Sequence, residues 1–299
     1  MYVVLGASGN TGHVVAKNLL ARQQKVRLVG RNPAHLQALA VGGAEVSVAD
    51  LTDADALTNA FHKADAAYVM IPPNPAGNDT RAFQERVSDA IATAVKNSGV
   101  KHVVALSSIG ADKASGTGPV VGLHNLEQKL NHIDGVNVFY LRAGYFMENT
   151  LPQAGVIRAT GAVIGPVRGD LKLPMIASHD IGAAAADILL SLAFQGKQTH
   201  ELLGERDISY NGATAIIAKA IGKPDLQYVQ APDDQVRESL VRMGMSDDFA
   251  GQILELAAAL NSGHIRALEP RTSRNSTPTS YEKFVAEAFL PAYKQTAAA

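Results

Sequence analysis

The chain of 299 residues contains no cysteine and no tryptophan, and only 5% of its residues are aromatic. Without cysteine it can form no disulfide, no thiolate metal site and no cysteine nucleophile. Lys and Arg number 27 against 28 Asp and Glu, so no excess of charge predicts binding to nucleic acid or to an anionic membrane. No apolar stretch is long enough to predict a membrane span or a secretory leader, and we expect a cytoplasmic protein.

The composition favours a globular enzyme with an aliphatic core, because 46% of the residues are hydrophobic and 18% are charged. The nine histidines are scattered and form neither an H-E-x-x-H nor an H-x-x-E-H pattern. We therefore expect no metal cofactor.

The most informative motif is a glycine turn at the start of the chain. The apolar run Tyr2–Leu5 leads into three glycines and then into a helical pattern. Such a turn can form a cradle in which main-chain N–H groups and the helix dipole face a pyrophosphate. Its spacing is G-x-x-G-x-x-G rather than the usual G-x-G-x-x-G, so a tight turn without a ligand is the alternative. The residues expected in the cradle are Gly6, Ala7, Ser8, Gly9, Asn10, Thr11 and Gly12.

Strand-like and helix-like patterns alternate through the first half of the chain, which predicts right-handed βαβ units and a parallel sheet. The strands show little polar alternation, as expected when helices cover both faces of the sheet. The predicted strands are Tyr2–Leu5, Val26–Val29, Glu45–Val48, Ala67–Ile71, His102–Leu106 and Val136–Leu141. The predicted helices are His13–Arg22, Ala34–Val41, Ala54–Phe61, Phe83–Ser98 and Val121–His132.

The second half of the chain is less regular. It contains turn-rich residues 145–180, an alanine-rich helix at Asp180–Ala193, a strand at Glu201–Leu203 and a mostly helical stretch over 211–290. Together with the first half, this pattern indicates a sheet-based domain followed by a region dominated by helices.

We therefore predict an α/β fold, with a Rossmann doubly wound parallel sheet and a smaller, mainly helical C-terminal substrate lobe. The NAD(P)-binding domain is expected over residues 1–150 and the lobe over residues 151–299. Segments at about 176–205 are expected to return to the Rossmann domain.

The second strand ends at Arg31, about twenty residues beyond the glycine turn, where the ribose-reading residue usually lies. A guanidinium can hold the 2′-phosphate that a carboxylate would repel, so we favour NADP(H) over NAD(H), an ordinary solvated arginine being the alternative. Asp50 and Leu51 close the third strand and are expected beside the adenine, although Asp50 could instead cap the next helix. Ile71 and Pro72 end the fourth strand and are expected beside the nicotinamide ribose.

Six segments in chain order resemble the NmrA-like atypical short-chain dehydrogenases, most of all the bacterial NADPH:quinone oxidoreductases, with triphenylmethane reductase as a related neighbour. The resemblance covers essentially residues 1–205 and implies a Rossmann domain, NADP(H) and a small substrate lobe. It does not determine the substrate, because some members of the family only sense the redox state of the cofactor. The segments are Gly6–Gly12, Gly30–Pro33, Ala49–Asp53, Leu106–Ser108, Leu141–Asn149 and His179–Gly182.

Ordinary short-chain dehydrogenases use a Tyr-x-x-x-Lys pair for proton transfer, but none of the eight tyrosines here has lysine four residues later. Either the proton is handled otherwise or no alcohol–ketone chemistry occurs. His124 takes the place of the tyrosine in the quinone-reductase-like members, so the resemblance points to His124 as catalytic. Glu127 lies on the same helical face and could orient the imidazole, and a surface histidine is the alternative. Lys129 is displaced by one position from the usual lysine.

Five further residues are candidates for contact with the substrate. Ser107 and Ser108 follow the fifth strand, where a hydroxyl could polarise a substrate oxygen, although serine also serves as routine capping material. Tyr145, Phe146 and Asn149 follow the sixth strand and are expected to line the substrate pocket, with simple packing between lobes as the alternative.

The function expected from these residues is hydride transfer from NADPH to a quinone or a similar conjugated electrophile, since the developing oxyanion needs only a hydrogen-bond donor. The rival hypothesis is a non-catalytic regulator that senses NADP(H) and binds a protein partner. We expect a small-molecule substrate, no nucleic acid, no membrane, and a monomer or homodimer.

Overall fold

The computed structural model describes residues 1–295. Its strands are β1 (Tyr2–Leu5), β2 (Val26–Gly30), β3 (Glu45–Val48), β4 (Ala66–Val69), β5 (His102–Ser108), β6 (Asn137–Ala143), β7 (Tyr145–Phe146), β8 (Val163–Gly165), β9 (Leu173–Ile176), β10 (Lys197–Leu202), β11 (Asp207–Ile208) and β12 (Tyr228–Gln230). Its helices are α1 (Asn10–Ala21), α2 (Gln37–Val41), α3 (Ala54–Phe61), α4 (Thr80–Ser98), α5 (Val120–Asn131), α6 (Gln153–Thr160), α7 (Ser178–Ser191), α8 (Tyr210–Ile221), α9 (Asp233–Arg242), α10 (Asp247–Asn261), α11 (Tyr281–Phe284) and α12 (Leu290–Lys294).

Seven strands form one parallel sheet in the order β10-β6-β5-β4-β1-β2-β3. Strand order reverses between β1 and β4, as in a doubly wound fold, and ligands in such folds bind at the carboxyl ends of the strands near this reversal. The α/β, Rossmann-type fold predicted from the sequence is therefore confirmed.

Helices cover both faces of the sheet. α3, α4 and α5 pack on one face, and α1 and α7 pack on the other. α7 approaches α1 closely at Gly182, where a Cβ atom would lie 2.6 Å from the Cβ of Val14. This burial on both faces explains why the central strands are apolar throughout.

The second half of the chain adds a smaller core formed mainly by helices α6, α8, α10 and α11. Two small sheets that the sequence did not predict accompany these helices, one with the order β11-β9-β7 and one made of β12 and β8. Their strands have only two to four residues, too few for a recognisable pattern of alternation.

Several predicted boundaries need correction. α1 begins at Asn10 rather than at His13, so the last glycine of the turn lies inside the helix. The predicted helix Ala34–Val41 is divided into a 3₁₀ turn, Pro33–Leu36, and α2, because Asn32 caps the turn and Pro33 opens it. α7 and β10 place residues 178–202 against the large sheet, while the predicted domain boundary at residue 150 stays a prediction.

Within residues 1–295, none of the helices combines the length and apolar character that crossing a membrane requires.

Candidate cofactor and substrate site

The glycine turn brings the start of α1 very close to the end of β1. Gly6 has φ +63°, a conformation that favours glycine, and the N–H of Gly9 donates to its carbonyl over 2.9 Å. A Cβ atom at Gly12 would lie only 2.3 Å from the Gly6 oxygen. Any other side chain at Gly12 would therefore push the helix away from the strand. Ser8, Gly9 and Asn10 are exposed at this edge.

The N-terminus of α1 is open to an anion. The helix has no side-chain cap and no acidic residue in its first turn, whereas Asp53 and Asp79 cap α3 and α4. Uncapped N–H groups and the positive end of the helix dipole are what a phosphate requires. Ala7 and Thr11 are buried, and the Thr11 hydroxyl accepts a hydrogen bond of 2.9 Å from Tyr68. The observed turn thus fits the pyrophosphate of a dinucleotide.

The structure places Arg31 and Asp50 near each other and exposed, after β2 and β3 respectively. Asp50 accepts hydrogen bonds from the N–H and hydroxyl of Thr52 over 2.9 and 2.8 Å. The hydrogen bond from the Thr52 N–H lowers the pKa of Asp50 most, and the positive charge of Arg31 lowers it further. Asp53 rather than Asp50 caps α3, so the capping alternative for Asp50 is wrong.

The end of β4 lies beside the glycine turn. A Cβ atom on Gly6 would be 2.8 Å from the Met70 sulfur, and the half-buried Ile71 and Pro72 follow Met70. Leu51 is buried in the core between the sheet and the helices α3, α4 and α5. Residues predicted to surround a cofactor are thus brought together along one edge, from β3 to β4.

Ser107 is held by a buried ion pair that the sequence did not predict. Its hydroxyl donates to a carboxylate oxygen of Glu127 over 2.6 Å. Arg142 donates to both oxygens of the same carboxylate, from Nε over 3.0 Å and from Nη2 over 2.6 Å. Glu127 is only 3% exposed, so it connects β5, β6 and α5 without contact with solvent. The hydroxyl hydrogen of Ser107 is consequently committed to Glu127.

His124 is half-buried and held by the loop after β5. Its Nδ1 lies 2.8 Å from the carbonyl of Ala111, and because a carbonyl only accepts, Nδ1 carries a hydrogen. Nε2 has no hydrogen-bond partner within residues 1–295. The expected contact with Glu127 is not made, because Ser107 and Arg142 occupy that carboxylate.

Lys129 is directed away from this region. Its ammonium forms ion pairs with Glu85, over 2.5 Å, and with Asp89, both on α4. Hydrogen bonds to these carboxylates oppose its desolvation and raise the pKa of Lys129. The lysine therefore anchors α5 to α4 and is not available to a tyrosine in the site.

A cavity of about 90 Å³ lies at the ends of β5 and β6. It brings together four of the predicted residues, whereas Ser107 and His124 are not part of its wall. None of its lining residues carries a charge, and most are apolar. They are Ser108, Ile109, Val120, Gly144, Tyr145, Phe146, Asn149, Leu256, Leu260 and Ile265.

The side of the cavity formed by α10 was missed in the sequence. A Cβ atom on Gly118 would lie 2.2 Å from the main-chain oxygen of Gln252. Helix α10 therefore packs directly on the loop between β5 and α5. No local pattern links Leu256 or Leu260 to that distant loop. A signal did exist for the ion pair, because Arg142 interrupts an apolar strand and a buried guanidinium needs a partner.

Tyr145 and Tyr210 form a hydroxyl pair at the wall of the cavity. The two hydroxyl oxygens are 2.8 Å apart, and Tyr210 begins α8 in the second core. Burial raises the pKa of both phenols, so each stays protonated at neutral pH.

Comparison with known proteins gives one family. A model described as the NmrA-like family matches residues 2–286. NAD(P)H azoreductase of Xenophilus azovorans is 28% identical over 258 residues, which make up 86% of each chain. Quinone oxidoreductase 2 of Escherichia coli strain K12 is 30% identical over 268 residues, 88% of this chain and 89% of that protein.

Solved structures give the same picture of the fold. The NADPH complex of the Escherichia coli quinone oxidoreductase superposes with a TM-score of 0.82 at 26% identity, covering 97% of this chain and 100% of that one. The NADP(H) complex of triphenylmethane reductase from a Citrobacter species gives a TM-score of 0.81 at 18% identity, covering 96% and 100%. The latter similarity concerns the fold alone.

We expect Glu127→Gln to lower the free energy of unfolding by about 3–5 kcal/mol, because it removes the charged group that accepts both hydrogen bonds from the largely buried Arg142 guanidinium. Urea denaturation followed by circular dichroism measures this loss. Glu85→Gln removes an exposed partner of Lys129 and is the matched control, with an expected loss of at most about 1 kcal/mol. Equal losses in the two variants would show that the buried pair contributes no more to the free energy of unfolding than the exposed pair.

Proposed function

Because the chain belongs to the NmrA-like family and is an NAD(P)H-dependent oxidoreductase, we propose that it reduces quinones or similar conjugated electrophiles with NADPH, without a Tyr-x-x-x-Lys pair. The observation that carries this proposal is the uncharged cavity at the ends of β5 and β6. It lies on the same edge of the sheet as the open N-terminus of α1, where a dinucleotide fits.

In this proposal the glycine turn Gly6–Gly12 binds the pyrophosphate and Arg31 binds the 2′-phosphate. Asp50 and Leu51 flank the adenine, and Ile71 and Pro72 form the wall beside the nicotinamide ribose. When bound, the cofactor supplies a hydride at its nicotinamide ring. The protein contributes orientation and removes part of the substrate from water, because the cavity is a cleft between the sheet edge and α10 with a mostly apolar lining.

The character of the cavity favours small, flat and uncharged electrophiles. Its volume of about 90 Å³ is below the roughly 300–1,000 Å³ of common ligand pockets, and no lining residue could pair with a charged substrate. A quinone ring meets both conditions. As it gains a hydride it develops negative charge on oxygen, and a fixed donor in a mostly apolar cleft then stabilises the product-like state.

We assign the catalytic hydrogen bonds to Ser108 and His124. Ser108 lines the cavity, and its hydroxyl, which donates to the Ile109 carbonyl over 3.0 Å, can rotate towards a substrate oxygen. In His124 the bond from Nδ1–H to the Ala111 carbonyl leaves Nε2 as the atom that can face a ligand. Nε2 is an acceptor in the neutral ring, so His124 donates to a substrate oxygen in the form in which both ring nitrogens carry hydrogen. Ser107 does not line the cavity, and its hydrogen bond to Glu127 holds the end of β5, next to Ser108, in place. Water completes the protonation of the product.

The alternative of a non-catalytic regulator is not favoured. The relatives that match 86% and 88% of the chain are named as an azoreductase and a quinone oxidoreductase, both enzymes.

The direct test mixes the protein with NADPH and a panel of benzoquinones and follows the loss of NADPH absorbance. We expect saturable oxidation with uncharged quinones and much slower oxidation with sulfonated ones, because the cavity offers no cation to an anionic substrate. Protein that binds NADPH but shows no oxidation above background with any quinone would refute the proposed reduction.

Arg31→Asp tests the choice of cofactor. We expect the Kd for NADPH to rise about 10- to 100-fold, since hydrogen bonds to a charged group contribute about 1.5–3 kcal/mol, while the Kd for NADH changes little. Isothermal titration calorimetry measures both constants. Arg86→Asp, on the exposed side of α4, makes the same change of charge away from the site and serves as the control. Equal losses for the two cofactors would show that Arg31 does not bind the phosphate.

His124→Ala tests the proposed donor. Loss of one oxyanion-stabilising donor lowers kcat by about 10²- to 10³-fold, and we expect a decrease at the lower end, with the Kd for NADPH unchanged. Steady-state quinone reduction measures it. His132→Ala removes a second histidine at the other end of α5, where Nδ1 also meets a main-chain carbonyl, and should retain activity. Unchanged turnover in His124→Ala would remove His124 from the mechanism.

A further inference from the structure

The hydroxyl pair of Tyr145 and Tyr210 has a defined direction. Tyr210 is 7% exposed, and its hydroxyl has no hydrogen-bond partner other than Tyr145 within residues 1–295. A buried donor left without an acceptor costs about 1–3 kcal/mol. If Tyr145 were the donor, the Tyr210 hydrogen would have no acceptor. Tyr210 therefore donates to Tyr145.

This direction leaves the hydroxyl hydrogen of Tyr145, which belongs to the cavity wall, available to donate to a bound ligand. The bond from Tyr210 favours negative charge on the Tyr145 oxygen, and the nearby amide of Asn149 acts in the same direction. Burial opposes them and keeps the phenol protonated. A hydroxyl that accepts hydrogen bonds becomes a stronger donor itself, because hydrogen bonds in a chain polarise one another.

We propose that Tyr145 donates a hydrogen bond to one oxygen of the substrate, and that Tyr210 is the positioning residue that orients and polarises Tyr145. This inference rests on the proposed reduction of quinones. A para-quinone has carbonyl oxygens at opposite ends of its ring, so Tyr145 can hold one oxygen while Ser108 or His124 holds the other. In this site a second phenol replaces the lysine that activates a tyrosine in ordinary short-chain dehydrogenases, and it does so without adding a charge.

The neighbouring aromatic residues hold Tyr210 in place. Its ring stacks on Tyr228 with centroids 4.9 Å apart and an interplanar angle of 27°. The hydroxyl of Tyr228 donates to the Val167 carbonyl over 2.5 Å and forms no hydrogen bond with Tyr145 within residues 1–295. Tyr228→Phe is therefore a matched control, because it removes a half-buried hydroxyl from the same cluster without removing a member of the proposed chain of donors.

The experiment uses 4-nitrophenolate as a probe, because its charge lies on the oxygen that accepts the hydrogen bonds, as in a developing oxyanion, whereas a sulfonated quinone carries its charge away from the donors. The absorbance of the probe changes when it accepts a hydrogen bond. The probe is titrated into the full chain in the presence of NADP⁺. We expect its Kd to rise at least about tenfold in Tyr145→Phe and about three- to tenfold in Tyr210→Phe, with a smaller absorbance shift, as lost oxyanion donors predict. In Tyr228→Phe both values should stay as in the wild type.

Steady-state kinetics gives an independent measurement. Tyr145→Phe should lower kcat about 10²-fold, and Tyr210→Phe about tenfold with KM for the quinone unchanged, because Tyr210 acts through Tyr145. Should Tyr210→Phe fail to fold, Asn149→Ala removes an exposed amide that, like Tyr210, favours negative charge on the Tyr145 oxygen, and it should shift the probe in the same direction.

Two results overturn the inference: no binding of the probe to the wild type, or equal binding by wild type and Tyr145→Phe. Tyr210→Phe behaving like Tyr228→Phe also overturns the role of Tyr210. If no quinone is reduced but the probe ranks the variants as expected, the proposed reduction fails while the tyrosine pair stands as an oxyanion site.

Discussion

The site depends on one close contact, the approach of α1 to the end of β1 at Gly12. A Cβ atom there would lie 2.3 Å from the Gly6 oxygen, closer than side chains come in folded proteins. Gly6 contributes the second condition, a φ of +63° that turns the chain directly into the helix. The first N–H groups of α1 therefore open onto the carboxyl edge of the sheet, at the reversal of strand order. The end of β4 and the cavity beyond β5 lie along the same edge.

A second constraint sets the rotation of α5. Glu127 accepts three hydrogen bonds inside the protein, one from Ser107 and two from Arg142. Replacing such a pair by apolar residues is often neutral for stability, so its value lies in selecting one orientation of the helix. With Glu127 facing the strands, the residue three positions earlier, His124, lies against the loop after β5. Lys129 then faces α4.

The parts predicted from sequence are those encoded by neighbours in the chain. Apolar runs between helices specify the parallel sheet, and the glycine turn is visible in a window of seven residues. The two-residue strands β7 and β11 carry no such pattern. The residues of the candidate site likewise fall into those that the sequence places and those that it does not. Tyr145 and Ser108 could be placed from the strands they follow, but their neighbours Leu256 and Tyr210 come from distant helices whose position depends on tertiary packing.

The absence of charged residues from the cavity wall accounts for the choice of both the buried and the solvent-facing polar groups around it. An ammonium group at the cavity wall would have to lose its hydration, which costs free energy. Lys129, the lysine of α5, is instead directed away from the cavity and pairs with carboxylates on α4. Neutral hydroxyl donors can be buried at far lower cost once each is hydrogen-bonded, as Tyr210 is to Tyr145. In such a low-dielectric space each remaining hydrogen bond is stronger than it would be in water. A site of this kind stabilises charge only where charge forms during the reaction, which is the condition for catalysis rather than tight binding of the substrate.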